Sequence, residues 1–132
     1  MKISFYYIIL LLMNYITALP QQTELRPITV EWEKTFGGNA HDFGATVYPT
    51  QDGGYIVGGD TKSFGAGSRD ILLIKTNSSG NKMWETTLGG IGFDAAVCID
   101  TISNDEFIVC GETKNYGNGG KDIYLVKCME IR

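Results

Sequence analysis

The chain has 132 residues with 11 basic and 15 acidic side chains, a formal net charge of −4, a single histidine and three cysteines. The acidic residues are scattered rather than blocked, and no basic stripe is present to neutralise phosphates, which argues against nucleic acid as a partner. A mildly acidic surface of this kind mainly supports solubility.

Residues 1–18 read as a secretory signal peptide. Lys2 supplies the basic start, Phe5 to Met13 form an apolar and aromatic run, and Ile16-Thr17-Ala18 ends on a small residue before a cut. The rival reading is a membrane anchor, but a spanning helix needs roughly 20 mostly apolar residues, and Asn14 and Thr17 interrupt the run. Membrane association is therefore expected only if this segment stays uncleaved. Cleavage after Ala18 removes Lys2 and leaves 10 basic against 15 acidic residues. Residues 19–28, with Pro20, Gln21, Gln22 and Pro27, read as a short linker.

The rest of the chain says one thing twice. Trp32-Glu33-Lys34-Thr35-Phe36-Gly37-Gly38 returns as Trp84-Glu85-Thr86-Thr87-Leu88-Gly89-Gly90, an offset of 52 residues, and the alignment runs on without a gap. Identities include Asp42/Asp94, Gly59/Gly111, Thr61/Thr113, Asp70/Asp122 and Lys75/Lys127. This divides the chain into repeat 1 (residues 29–80) and repeat 2 (residues 81–132). A fixed period of this size marks a propeller or solenoid.

Each repeat reads as four short strands. In the first they span Val30–Phe36, Phe43–Tyr48, Tyr55–Gly59 and Asp70–Thr76; in the second, Met83–Leu88, Ala95–Asp100, Glu106–Gly111 and Asp122–Cys128. Gln51-Asp52-Gly53-Gly54 is a tight hairpin turn and Asn77-Ser78-Ser79-Gly80-Asn81 another. No segment holds a helical period, so the expected class is all-β. Apolar runs such as Ile71-Leu72-Leu73-Ile74 suit strands covered on both faces, as in a propeller blade sandwiched between its neighbours.

Cys98, Cys110 and Cys128 all lie in repeat 2, opposite Thr46, Gly58 and Thr76 in repeat 1, and their spacing fits no zinc pattern. A turn at residues 103–105 would set Cys98 against Cys110 across a hairpin, making them the expected disulfide in a secreted chain. Cys128 is then the odd thiol, expected to be buried.

The combination W-x-x-T-x-G-G, then an Asp, then D-G-G-Y-I-V-x-G-x-T, then G-x-G-x-x-D-I-x-L-x-K, resembles secreted bacterial and archaeal β-propeller-type repeat proteins, which are distantly similar to quinoprotein-like propellers. The resemblance covers residues 32–132 and implies two blade-like, four-stranded repeats of an incomplete β-propeller. It also implies that Trp32 and Trp84 pack between blades. If Trp84 lies on an outermost strand, Val30–Phe36 is an outer strand with no blade before it, and Asp122–Cys128 is a third strand whose outer neighbour is still to come. In closed propellers of this kind an N-terminal outer strand completes the last blade. Two blades cannot close a ring, since propellers use four to eight. The metal and cofactor ligands of the quinoproteins have no counterpart here, so no cofactor, metal site or catalytic residue is expected.

The remaining candidates divide between structure and binding. His41, paired in the repeat with Phe93, lacks the partners that a triad or metal site needs and reads as a loop residue. Asp42, Asp94, Asp70 and Asp122 recur in equivalent settings, whereas calcium wants clustered carboxylates and glycoside cleavage wants two distinct ones. They are expected to bond loop amides. Gly65-x-Gly67 and Gly117-x-Gly119 lack the helix and trailing lysine of a phosphate loop. Asn77-Ser78-Ser79 is an N-glycosylation sequon if the source is a eukaryote. Tyr55 and Phe107 are expected in the core, while Phe64 and Tyr116, set among loop glycines, are candidates for facing a ligand.

The expected function is a secreted, non-catalytic binding or scaffolding module for an extracellular protein or glycan, or for further copies of itself joined head to tail. Two alternatives stand beside it: a subunit of an oligomeric, hydrolase-like propeller enzyme, and a truncated, non-functional relative of a longer array.

Overall fold

The computed structural model of the chain describes residues 26–103 and 105–131. Two units are distinguished, residues 1–30 and 31–132. Of the first, only residues 26–30 are described, and they form neither helix nor strand. The expected signal peptide (residues 1–18) and residues 19–25 of the expected linker lie outside the described residues. No helix among the described residues is long and apolar enough to cross a membrane.

The regular structure of the second unit is all β. Strands β1 (Asp42–Pro49), β2 (Tyr55–Thr61), β3 (Asp70–Thr76) and β4 (Lys82–Leu88) form one antiparallel sheet in chain order. Strands β5 (Asp94–Thr101), β6 (Glu106–Thr113) and β7 (Asp122–Met129) form a second. Neither sheet closes on itself. Seven of the eight expected strands are thus present, within two residues of their expected ends.

The eighth is a correction. Residues 31–36 join no ladder, so the repeats do not build two four-stranded sheets; the sheets have four strands and three. The fourth strand of the first sheet is β4, which comes from the second sequence repeat. It pairs with β3 from Ile71↔Leu88 to Lys75↔Trp84. A strand exists only where a neighbour takes its backbone N–H and C=O groups, and the short turn after β3 delivers β4 to that edge at once. In that turn the Asn77 side-chain oxygen accepts the Ser79 and Asn81 amides at 3.0 and 2.9 Å, and Gly80 takes φ +73°. The β1–β2 turn likewise relies on Gly53 at φ +81°, a backbone state open to glycine at little cost.

The two sheets pack face to face, β5 lying across β1, β2 and β3. Strand register decides which side chains meet. Ile56, Ile71 and Leu73 face the second sheet, where Ala96, Ile99, Phe107 and Val109 receive them. Ile71, Leu73 and Val109 are fully buried, and each such side chain contributes about 1.5–3 kcal/mol relative to exposure. Gly58 provides the gap for Ile99, whose Cδ1 would stand 2.5 Å from a Cβ there. On the opposite face of the first sheet, Leu72 and Ile74 line a small cavity with Val57 and Phe36. The first sheet is therefore covered on both sides, which explains the continuous apolar run of β3.

Both sheets carry a bulge at the same place, in β1 between Gly44 and Thr46 and in β5 between Ala96 and Cys98. Beside each, a glycine permits a close backbone approach: a Cβ on Gly59 would fall 1.8 Å from the Phe43 carbonyl oxygen, and one on Gly111 2.1 Å from that of Ala95. Gly44, by contrast, faces nothing within 4 Å. Gly59→Ala and Gly111→Ala are each expected to destabilise the fold by about 1–3 kcal/mol, the typical cost of overpacking, and Gly44→Ala to be near neutral. Thermal unfolding followed by circular dichroism checks the contrast.

Candidate functional site

Three of the four recurring carboxylates, Asp42, Asp94 and Asp70, hold corners of the backbone, while the buried Asp122 Oδ2, expected to bond a loop amide, has no hydrogen-bond partner among the described residues. Asp42 accepts the Gly38 amide at 2.9 Å, the Ser63 hydroxyl at 2.8 Å and the Thr61 hydroxyl. Asp94 repeats the arrangement with the Gly90 amide at 3.0 Å and the Asn115 side-chain amide. Each tucks beneath a Gly-Gly corner whose first glycine, Gly37 or Gly89, sits at φ near +145°. A Cβ on either would lie 2.5 Å from the carboxylate oxygen. Asp70 accepts the Gly67 amide at 3.0 Å. A Cβ on Gly65 would be 2.3 Å from the Asp70 oxygen, and one on Gly117 2.2 Å from that of Asp122. The W-x-x-T-x-G-G…D signature is thus a corner with its own carboxylate clamp.

Charge pairs form a second repeated set that the identity pattern did not single out. Asp60, buried on β2, pairs with Arg69 at 2.9 Å, and Glu112 on β6 pairs with Lys121. The signal was present as conserved charge rather than identity, Asp60 with Glu112 and Arg69 with Lys121 at the same offset. Burial pushes the Asp60 carboxyl up, Arg69 opposing it. It lines a cleft of about 510 Å3 with Phe43, Arg69, Phe93 and Glu112. Lys75 is also buried, and its ammonium reaches Thr50 at 2.5 Å and both Asp52 oxygens at 2.8 Å. The lysine bonds, with help from Thr50 and the Gly54 amide, hold Asp52 well below the usual carboxylate range. Its repeat mate Lys127 is exposed and paired with Glu106.

The tryptophans occupy matching places. Trp84 stacks on Phe107 with ring centroids 6.1 Å apart, and Trp32 meets Tyr55 edge-on at 5.9 Å. Such pairs contribute about 0.5–1.5 kcal/mol beyond area burial. Tyr55 and Phe107 are respectively half-buried and buried. Phe64 and Tyr116 are both partly exposed, but no ring contact joins them: Phe64 lies against Gly38, and Tyr116 stacks on Tyr124 at 5.3 Å. His41 is exposed and its carbonyl accepts the Lys62 amide. Asn77 is exposed on its turn. Among the described residues, no group of three or more His, Cys, Asp or Glu is placed to hold a metal.

Cys98 and Cys110 are register partners across β5 and β6, and all three cysteines are free thiols in this structure. Their side chains share the outer face of the second sheet. Cys128, the partner of core residue Phe107, lies on the opposite face, where burial pushes its thiol up.

A groove of about 570 Å3 lies between β4 and β7, lined among others by Trp84, Leu88, Phe107, Val126 and Cys128. Beside it runs the outer edge of β7, which pairs with no strand among the described residues. On the outward face of β7, Ile123 is 85%, Leu125 62% and Met129 65% exposed, with the exposed Lys127 between the last two. Compared with protein-family models and with curated proteins, the chain has no match to either.

Asp42 supports a pH prediction. The Thr61 hydroxyl, then the Gly38 amide and Ser63, hold its carboxyl at about 2 against an ordinary 3.8. A depressed folded pKa contributes stability that is complete above the ordinary value and disappears as pH falls through the folded one. The thermal midpoint of the wild type is therefore expected to fall between pH 3.8 and about pH 2. Asp42→Asn is expected to lower the midpoint at neutral pH and to flatten that acid slope. Calorimetry of both proteins across the range checks it.

Proposed function

We propose that the chain is a secreted, non-catalytic binding module of the β-propeller type, its two sheets serving as adjacent blades, and that it engages protein through the edge of β7. The observation that carries this reading is β7 itself. An unpaired strand edge offers a row of N–H and C=O groups to an incoming strand. The exposed Ile123 and Leu125 add apolar area alongside it, and the groove between β4 and β7 adjoins it. Asp42, Asp94 and Asp70 are engaged by loop amides and by hydroxyl or amide side chains, which supports a structural role for these three over acid/base work. The blade reading draws on the 52-residue repeat and on the matching tryptophan contacts. A protein strand is favoured over a glycan because the loop aromatics Phe64 and Tyr116 form no common stacking platform.

The test is an array of extended peptides and of glycans, probed with the purified chain and with Leu125→Arg and Tyr116→Ala. Peptide binding that Leu125→Arg abolishes is expected. Glycan binding lost in Tyr116→Ala would move the site to the loops, and turnover of an arrayed glycan would overturn the non-catalytic reading.

Secretion carries its own prediction. Directly opposed residues of an antiparallel pair stand about 4.5–5.5 Å apart at Cα, within the range a disulfide spans. In an oxidising compartment Cys98 and Cys110 are expected to join, while Cys128, on the other face, stays reduced. Thiol titration of the unfolded secreted product should then find one free thiol, and its N-terminal sequence should begin at Leu19.

A further inference from the structure

We infer that the strand received by β7 is residues 31–36 of a second copy of this chain, which associates with the first head to tail. This rests on the reading of the β7 edge as a docking surface and names its occupant.

The argument begins with the contact the chain already makes within itself. β4 fills the edge of β3 and lays Trp84 on Phe107 of the following sheet. Residues 31–36 are the repeat equivalent of 83–88. They have half of that contact, since Trp32 lies on Tyr55 of the sheet that follows them, and they lack the other half, since no ladder takes their backbone. β7 is the repeat equivalent of β3 and, among the described residues, lacks the complementary part, a strand on its outer edge. Donor and acceptor are thus two halves of one interface that the molecule has already built once.

Burial marks the same vacancy. Ile71 and Leu73 of β3 are 0% exposed because the second sheet covers them, whereas their equivalents Ile123 and Leu125 are 85% and 62% exposed. The loops agree. A Cβ on Gly67 would be 2.3 Å from the Gly90 carbonyl oxygen, yet its equivalent Gly119 meets nothing within 4 Å. Around Gly67, the Ser68 amide bonds the Gly92 carbonyl at 3.1 Å and the Asp94 amide bonds the Arg69 carbonyl at 2.8 Å. Residues 37–41 of an incoming copy would bring the equivalent corner to Gly119.

The two halves do not meet within one chain. One face of the first sheet rests on the second sheet through Ile71 and Leu73, and the other meets Phe36 through Leu72 and Ile74. The first sheet therefore stands between residues 31–36 and β7. Carrying the β3–β4 register across the repeat pairs Ile123 with Phe36, Tyr124 with Thr35, Leu125 with Lys34 and Val126 with Glu33. Because donor and acceptor surfaces differ, the contact is heterologous, and repetition either closes a ring or continues as a filament.

Light scattering of the full chain, purified from a secreting host and run over a wide range of concentrations, is expected to give a mass of several chains. Glu33→Pro removes an amide from a segment that forms no ladder within its own chain, and Leu125→Arg alters an exposed side chain. Both are expected to reduce the mass to that of one chain while leaving the circular dichroism spectrum unchanged. In a Cys98→Ser, Cys110→Ser and Cys128→Ser background, because Cys110 stands opposite Leu125, Lys34→Cys and Leu125→Cys, made as separate proteins and mixed under mild oxidation, are expected to give a disulfide-linked species of two chains that neither gives alone. A wild-type mass of one chain at every concentration overturns the inference. So does an oligomer that survives both variants and yields no mixed crosslink. Peptide binding at β7 by a chain that stays monomeric would sink the self-association while leaving the binding reading in place.

Discussion

A strand forms where a neighbour takes its backbone groups, and in this protein every pairing within a sheet joins strands consecutive in the chain. The three strands of each meander come from one repeat, and the fourth strand of the first sheet is supplied by the following repeat. β4 belongs to the second repeat by sequence and to the first sheet by hydrogen bonding. Because β4 also lays Trp84 and Leu88 toward the second sheet, a single strand both closes one sheet and joins it to the next. The first sheet is completed by a strand of the second repeat. Among the described residues the second sheet shows the same edge without its complement, and beside that edge Ile123 and Leu125 are exposed.

The corners maintain the spacing that makes this possible. The approach to the first strand of each sheet runs through a Gly-Gly pair clamped by a carboxylate, Gly37-Gly38 on Asp42 and Gly89-Gly90 on Asp94. A side chain on the first glycine would collide with its own clamp. The same carboxylate gathers hydroxyl or amide side chains two residues apart after the second strand, Thr61 and Ser63 in one sheet and Asn115 in the other. Asp42, Asp94 and Asp70, repeated acidic residues that resemble a catalytic or metal-binding series, are thereby engaged as acceptors for loop groups.

Much of the fold was legible in the residues. Turn chemistry at Gly53 and Asn77 and the apolar runs placed seven strands within two residues of their observed ends. The expected opposition of Cys98 and Cys110 depended on hairpin register, and that register is the one observed. The Val30–Phe36 segment reads as a strand because its repeat mate is one, yet strand structure depends on pairing, which no local pattern contains. The Asp60–Arg69 and Glu112–Lys121 pairs were hidden for a different reason: the repeat preserves their charge but not their identity. The Lys75–Asp52 pair had no repeat signal at all, since Lys127 takes Glu106 instead.

By itself the sequence determined the period, the class of structure and the identity of the corner residues, because these follow from local spacing, turn preference and duplication. Only the tertiary structure decided which sheet β4 completes, which faces of β3 and β7 are covered, and that Cys128 stands across the sheet from the other two cysteines. Those outcomes depend on pairing between segments far apart in the chain. Equivalent positions of the two repeats therefore end in different surroundings, Ile71 sealed inside and Ile123 bare, because one has a neighbouring sheet to bury it and the other, among the described residues, does not.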